Sequence, residues 1–289
     1  MAADASVPTI LNSLSTPRAG RLLDLAASPT AGPGTPQFRA DMLFTPEYEY
    51  WFCDFSATAI TAATSIFTAG MEHTWAYAES ASNPADPSKL TPTRIQSSDM
   101  RFSAFAAAAH SQTMLGPKMY SANKNPFVEV RLQTSSITDL NLNIGFADAI
   151  PAAAAKIVSD IDTPAVTTMA DGAIYAIDPS QTLVTAALVC VGTSTAVNKV
   201  NVAPVTAPFG VLTAGVYAII RVELVGNGQI SGKSVANLYI NDVLAATSAN
   251  GPDSEKLLSP VILTLTPATA LNVDIDYIRC GQQKALSPF

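Results

Sequence analysis

Asp274 and Asp276 stand two apart in NVDIDYIRC (272–280), a spacing that sets both carboxylates on one face of a strand. Two carboxyls about 5–5.5 Å apart could cleave a glycosidic bond with retention, one as nucleophile and one as acid. The strand pattern Glu-x-Asp-x-x-Glu that serves this chemistry ends on a third carboxylate, and here Arg279 holds that place. Ordinary alternation along a solvent-facing strand accounts for both aspartates, so no catalytic residue is assigned and the chain is expected not to be an enzyme. Asp148, Asp160, Asp162 and Asp171 could converge on a calcium ion, which takes several oxygen ligands. Isolated loop aspartates more often cap turns, so no metal site is assigned. The two histidines, His73 and His110, have no cysteine or serine partner that spacing can argue for, and neither a Gly-x-Ser-x-Gly elbow nor a phosphate-cradling glycine loop occurs. No cofactor is expected. Trp51 and Trp75, with Tyr48, Tyr50 and Tyr77, could stack on sugar rings, although rings inside strands usually belong to a core.

Composition narrows the partners. The 289 residues carry a formal net charge of −7 and contain no Lys/Arg run, so a nucleic-acid partner is not expected. No stretch of 18 apolar residues occurs, and the first twenty residues lack the basic start and apolar run of a signal peptide; no membrane partner is expected either. Charged residues make up only 13% of the chain, against roughly 25% in average domains. That shortage fits a surface partly covered by other subunits; small polar residues over a sheet face are the other explanation. Cys53, Cys190 and Cys280 are far apart and odd in number, which argues against a disulfide framework or a zinc site and for small core side chains in a reducing compartment.

The elements that would position any site are short alternating runs: FVEVRLQT (127–134), LNLNIGFAD (140–148), DGAIYAI (171–177), VTAALVCVG (184–192), VYAIIRVELV (216–225), VANLYIND (235–242), VILTLT (261–266) and NVDIDYIRC (272–280). A period of two predicts one buried and one wet face per strand. Many such strands between Gly, Asn, Asp and Pro predict an all-β, antiparallel sandwich. Upstream, YEYWFCDF (48–55) and TWAYAES (74–80) read as aromatic strands paired with each other, the first enclosed within a sandwich. SDMRFSAFAAAAH (98–110) reads as strand or short helix, and 80–98 as a surface loop. The Ala run in PAAAAKIVSDIDTP can form one helical turn. Asn241–Asp242 is placed in a tight hairpin turn, and GNGQISGKS (226–234) in a second hairpin connection. Residues 1–46, with six prolines, read as an extended N-terminal arm before a body of 47–289. Ile10, Leu11, Leu14, Leu22, Leu23 and Leu25 would be its partner-binding side chains, ordered by a neighbouring subunit.

Read in order, NPFVEVRLQ, LNLNIGFADA, DGAIYAI, YAIIRVELVGNGQ, VANLYINDVLAAT and NVDIDYIRCGQQK resemble the successive strands of a concanavalin-like jelly roll found in structural proteins of tailed bacteriophages. The likeness spans Asn125 to Lys284, with Asn241–Asp242 where Asp–Gly is usual. It implies a virion protein of the capsid decoration (cement) type, made in the host bacterial cytoplasm and seated on the outer capsid surface. There it would bridge subunits of the major capsid protein, as a homo-oligomer (dimer or trimer). The alternative it leaves open is a glycan-binding module of a head or tail fibre, with Trp51 and Trp75 as its platform.

Overall fold

The computed structural model describes residues 48–53, 76–79, 100–103, 110–137, 140–149, 157–162, 165–166, 169–178, 186–192, 195–202, 212–226, 232–266 and 272–283. Its strands are β1 (Tyr48–Cys53), β2 (Ala76–Glu79), β3 (Met100–Ser103), β4 (His110–Leu115), β5 (Tyr120–Ser121), β6 (Phe127–Thr134), β7 (Asn141–Ala147), β8 (Val158–Asp160), β9 (Ala165–Val166), β10 (Gly172–Ile177), β11 (Ala186–Gly192), β12 (Thr195–Asn201), β13 (Ala218–Val225), β14 (Val235–Ile240), β15 (Val243–Ser248), β16 (Leu257–Thr266) and β17 (Asn272–Gln283). A seven-stranded sheet runs β1-β17-β6-β13-β14-β15, with β3 also on β17. An eight-stranded sheet runs β12-β11-β10-β7-β16-β4-β2, with β5 also on β16. All pairings are antiparallel, and the two sheets pack face to face as a sandwich around one apolar core.

Alternation places one side chain of every two between the sheets. Val128, Val130 and Leu132 of β6, Ile220, Val222 and Leu224 of β13, and Leu142, Ile144 and Phe146 of β7 meet there in one apolar cluster. Burying a side chain of this kind fully contributes about 1.5–3 kcal/mol, so this layer supplies most of the driving force.

The expectation of one wet face per strand is corrected. Every described position of β7, β10 and β11 is buried. The reason lies in the outward residues themselves: Ile174, Ala176, Ala187, Val189, Val261 and Leu263 are apolar and form a second cluster with Ile157, Val158, Ile161 and Met169. The excursion around β8 and β9 therefore packs onto the outside of the eight-stranded sheet. Lys199 fastens it by donating to the carbonyls of Ile161 and Asp162 at 2.8 and 2.9 Å. Asn143 Oδ1 accepts from Val158 N at 2.9 Å. Strand β14, by contrast, keeps the expected alternation of buried and half-buried positions.

Two further expectations change. β1 and β2 do not pair: β1 lies along β17, and β2 along β4 in the other sheet. β1 is the edge strand of its sheet, with Trp51 buried between the sheets; a shared aromatic composition carries no information about partners. Where 98–110 left strand and helix open, 100–103 and 110 are strand. The arm (1–46), the 80–98 loop and the Ala run of 152–155 lie outside the described residues.

Local geometry follows the turn residues. Asn241 and Asp242, at φ +50° and +65°, make the tight β14–β15 turn, a conformation that asparagine and aspartate tolerate better than most residues. Gly145, at φ +155°, sits so close to β10 that a Cβ would fall 2.0 Å from the Ala173 carbonyl oxygen. In β17 the register shifts between Ile275 and Tyr277, which oppose Leu132 and Arg131, leaving Asp276 as the extra residue of a β-bulge.

Candidate functional site

That bulge decides what the outward face of the seven-stranded sheet carries. Val273 and Ile275 point into the core, so strict alternation would send Tyr277 and Arg279 there as well. The extra residue resets the parity: Ile278 and Cys280 enter the core instead. Tyr277 and Arg279 turn outward, opposite Arg131 and Glu129. On β13, Arg221 and Glu223 alternate with core residues and face the same way. A row results across the sheet, Leu244–Tyr239–Arg221–Glu129–Arg279, each residue opposite the next.

Glu129 is its centre and is 0% exposed. Arg279 grips both carboxylate oxygens, with Nε 2.5 Å from Oε1 and Nη2 donating to Oε2 at 2.6 Å. The Tyr277 hydroxyl donates to Oε1 at 2.9 Å, and Arg221 Nη1 lies 3.6 Å from Oε2. Burial pushes the Glu129 carboxyl towards its neutral form, but Arg279, Arg221 and the Tyr277 hydroxyl together outweigh it, and its pKa falls below the usual carboxylate range. The desolvation penalty of a buried ion is several kcal/mol, and the Arg279 pair, the Tyr277 hydrogen bond and the nearby Arg221 charge together offset it. Glu129 is thereby fixed as an anion and holds no proton to donate. Burial and the adjacent Glu129 charge raise the Tyr277 hydroxyl, which stays protonated as a donor.

The row opens towards solvent at its β13–β14 end. Arg221 stacks over the Tyr239 ring at 4.4 Å and lies 3.7 Å from Asp242, whose side chain is 48% exposed. One row on, Arg131 stacks over the Tyr217 ring at 4.2 Å and donates to Asp276 Oδ2. Gln133 donates to Asp274 Oδ2 at 3.2 Å. Tyr217 and Tyr239 are half-buried. Rings held under guanidinium groups and edged by carboxylates can grip a ligand that has both apolar faces and hydroxyls.

Of the residues singled out from sequence, Asp274 and Asp276 do share this face, each bonded to a β6 side chain. Trp51 is corrected: 4% exposed and packed in the inter-sheet core, its ring is unavailable to a sugar. Trp75 and the six apolar arm residues lie outside the described residues. Asp148 Oδ1 accepts from Ala170 N and Asp171 N at 3.0 and 3.1 Å and so ties the end of β7 to the start of β10, whereas Asp160 Oδ1 accepts from Asp162 N at 2.8 Å and caps a turn. Asp171 is buried, accepts from Asp253 N at 3.2 Å and lies 3.7 Å from Lys256. Among the described residues no group of three or more His, Cys, Asp or Glu is poised around a metal. Cys190 and Cys280 are buried free thiols in the main core. Sequence reasoning passed over Glu129, Arg131, Arg221 and Arg279 as site residues. The available signal was a charge at alternate positions within three long apolar strands, VEVR, IIRVEL and DYIR.

No family model matches the chain, and no curated protein matches it. Solved structures do. The potassium-bound carbohydrate recognition domain of Emp46p is similar at a TM-score of 0.43 and 8% identity, over 63% of this chain and 82% of that one. The β-glucanase of Bacillus licheniformis is similar at 0.48 and 12%, over 82% and 98%. The endo-β-1,4-glucuronan lyase of the fungus Trichoderma reesei is similar at 0.46 and 9%, over 80% and 94%. The likeness is one of fold. It also corrects the expectation that the chain is not an enzyme: polysaccharide-cleaving enzymes stand among the structures it resembles, so this fold gives no ground for excluding catalysis.

Proposed function

We propose that the chain is a carbohydrate-recognition jelly roll, and that it meets glycan on the outward face of the seven-stranded sheet. The observation that carries this reading is the pair of half-buried, arginine-backed rings, Tyr217 and Tyr239, beside the Asn241–Asp242 turn. Sugars offer an apolar C–H face to a ring and hydroxyls to planar polar groups, and both kinds of contact converge here. The proposed platform thus moves from Trp51 to Tyr217 and Tyr239, because Trp51 supports the core. A glycan array followed by calorimetry on the full chain tests this. Tyr217→Ala and Tyr239→Ala should each weaken binding about 10-fold with little change in unfolding midpoint, in line with truncating an aromatic anchor. Unchanged affinity in the double variant would move the site elsewhere; no glycan bound by the parent chain would end the reading.

A second reading keeps the virion decoration role, with the major capsid protein as partner. It rests on the resemblance of the motifs from FVEVRLQ to NVDIDYIRC to the strands of that phage jelly roll. Co-sedimentation with phage shells, with and without residues 2–40, separates the two. Binding to shells that is lost with the arm favours decoration.

A further inference from the structure

Arg221 lies in the charged face with two buried donors that bond to nothing in it. Its side chain is 6% exposed, and its Nε and Nη1 make no hydrogen bond. Three carboxylates approach without reaching bonding distance: Glu129 at 3.6 Å, Asp242 at 3.7 Å and Glu223 at 3.9 Å. Arg279 and Arg131, by comparison, each donate to a carboxylate, Glu129 and Asp276. Buried donors of this kind almost always find an acceptor, so Arg221 is poised for an oxygen atom from outside the sheet.

Resting on the carbohydrate reading above, we propose that the ligand of this face is a neutral glycan, and that glycans bearing carboxylate or sulfate groups are excluded. An acceptor oxygen bonded to Arg221 must enter among Glu129, Glu223 and Asp242. Around Arg221 stand three carboxylates, Glu129, Glu223 and Asp242, against two guanidiniums, its own and that of Arg279 on Glu129. An anionic sugar brought to Arg221 meets that excess at close range. The chain's formal net charge of −7 adds to the repulsion at a distance. A hydroxyl, ring oxygen or acetamido carbonyl satisfies the same donors without charge. The ammonium of an amino sugar would suit the carboxylates, but it would set a positive charge against the guanidinium and is itself no acceptor.

The test uses the full chain and matched probes: a panel of neutral hexose oligosaccharides, each beside its counterpart oxidised to the carboxylate at C6. At low ionic strength the oxidised member of a bound pair should bind at least about 10-fold more weakly, and added salt should shrink that gap. Asp242→Asn, at a half-exposed position, should narrow the gap about 2–3-fold, an effect that a purely structural aspartate would not produce. Equal or tighter binding of the oxidised members would overturn this inference while leaving carbohydrate recognition standing. Binding of neither member of any pair would overturn both.

Discussion

On the outward side of the eight-stranded sheet, Ile174, Val189 and Leu263 are covered by Ile157, Ile161 and Met169. On the outward side of the seven-stranded sheet, Glu129 is closed in by Arg279, Arg221 and Tyr277. Both faces are buried at their centres, yet by different means. Apolar contact is non-directional, so the first face tolerates small changes of register and needs only a cover of about the right volume. The ionic face holds only while each donor sits opposite its acceptor, which is why it depends on the bulge at Asp276. An apolar cover leaves nothing for a ligand to bond. An ionic one keeps directional groups at its open end, and those are what recognition needs.

The comparison can be broken by substitution. The largest effect is expected at Glu129→Ala, which strands the Arg279 and Arg221 charges and should destabilise the fold by about 3–5 kcal/mol in urea unfolding. A loss under about 1 kcal/mol would mean that the ionic row does not hold this face. Replacing Glu129 and Arg279 together, by Leu and Met, should recover most of that loss, because an apolar pair has no desolvation penalty to offset. Ile174→Ala on the other face should lower stability by about 2–4 kcal/mol through the cavity it leaves. Lys199→Met removes two charge-assisted bonds to the cover and should destabilise by about 1–2 kcal/mol. Faster amide exchange confined to 157–162 would locate that effect, and exchange unchanged there would refute the fastening role.

The pH dependence sharpens the contrast, with the smallest effects near neutrality. Glu129 has a folded pKa below its ordinary value of 4.5. Its contribution is therefore present above about that pH and disappears as the pH falls through the folded value. Glu129→Gln should flatten that acid limb in a urea-midpoint profile, whereas Ile174→Ala should shift the whole profile without changing its shape. On the alkaline side, burial pushes the Cys190 and Cys280 thiols from 9.0 up to about 12. Stability they support is complete below pH 9 and declines towards 12, because the unfolded chain ionises first. Cys190→Ala should remove part of that decline and leave the acid limb alone.

Much of the fold was legible in local pattern. FVEVRLQT is β6 residue for residue, and Asn241–Asp242 takes the positive φ angles its residue types favour. What could not be read were partners. Alternation states that Trp51 and Cys53 share a side of β1, but not which side meets the other sheet. DGAIYAI and VYAIIRVELV look alike as strands; only the presence of Arg221 and Glu223 hints that their outward faces close differently. The candidate site was barely visible, since Glu129 and Arg279 stand 150 residues apart and the bulge that aligns them has no marker in the residue types.

By itself the sequence determined the strand periodicity, the turn positions and a low charge set into apolar strands, because these depend on side-chain type and near neighbours. Tertiary structure alone decided that β17 lies between β1 and β6, that one extra residue swings Arg279 out of the core onto Glu129, and that Ile157, Val158, Ile161 and Met169 cover the opposite face. Each of these is a pairing between distant segments. Its free energy comes from which groups leave water together, and no local stretch of chain specifies that.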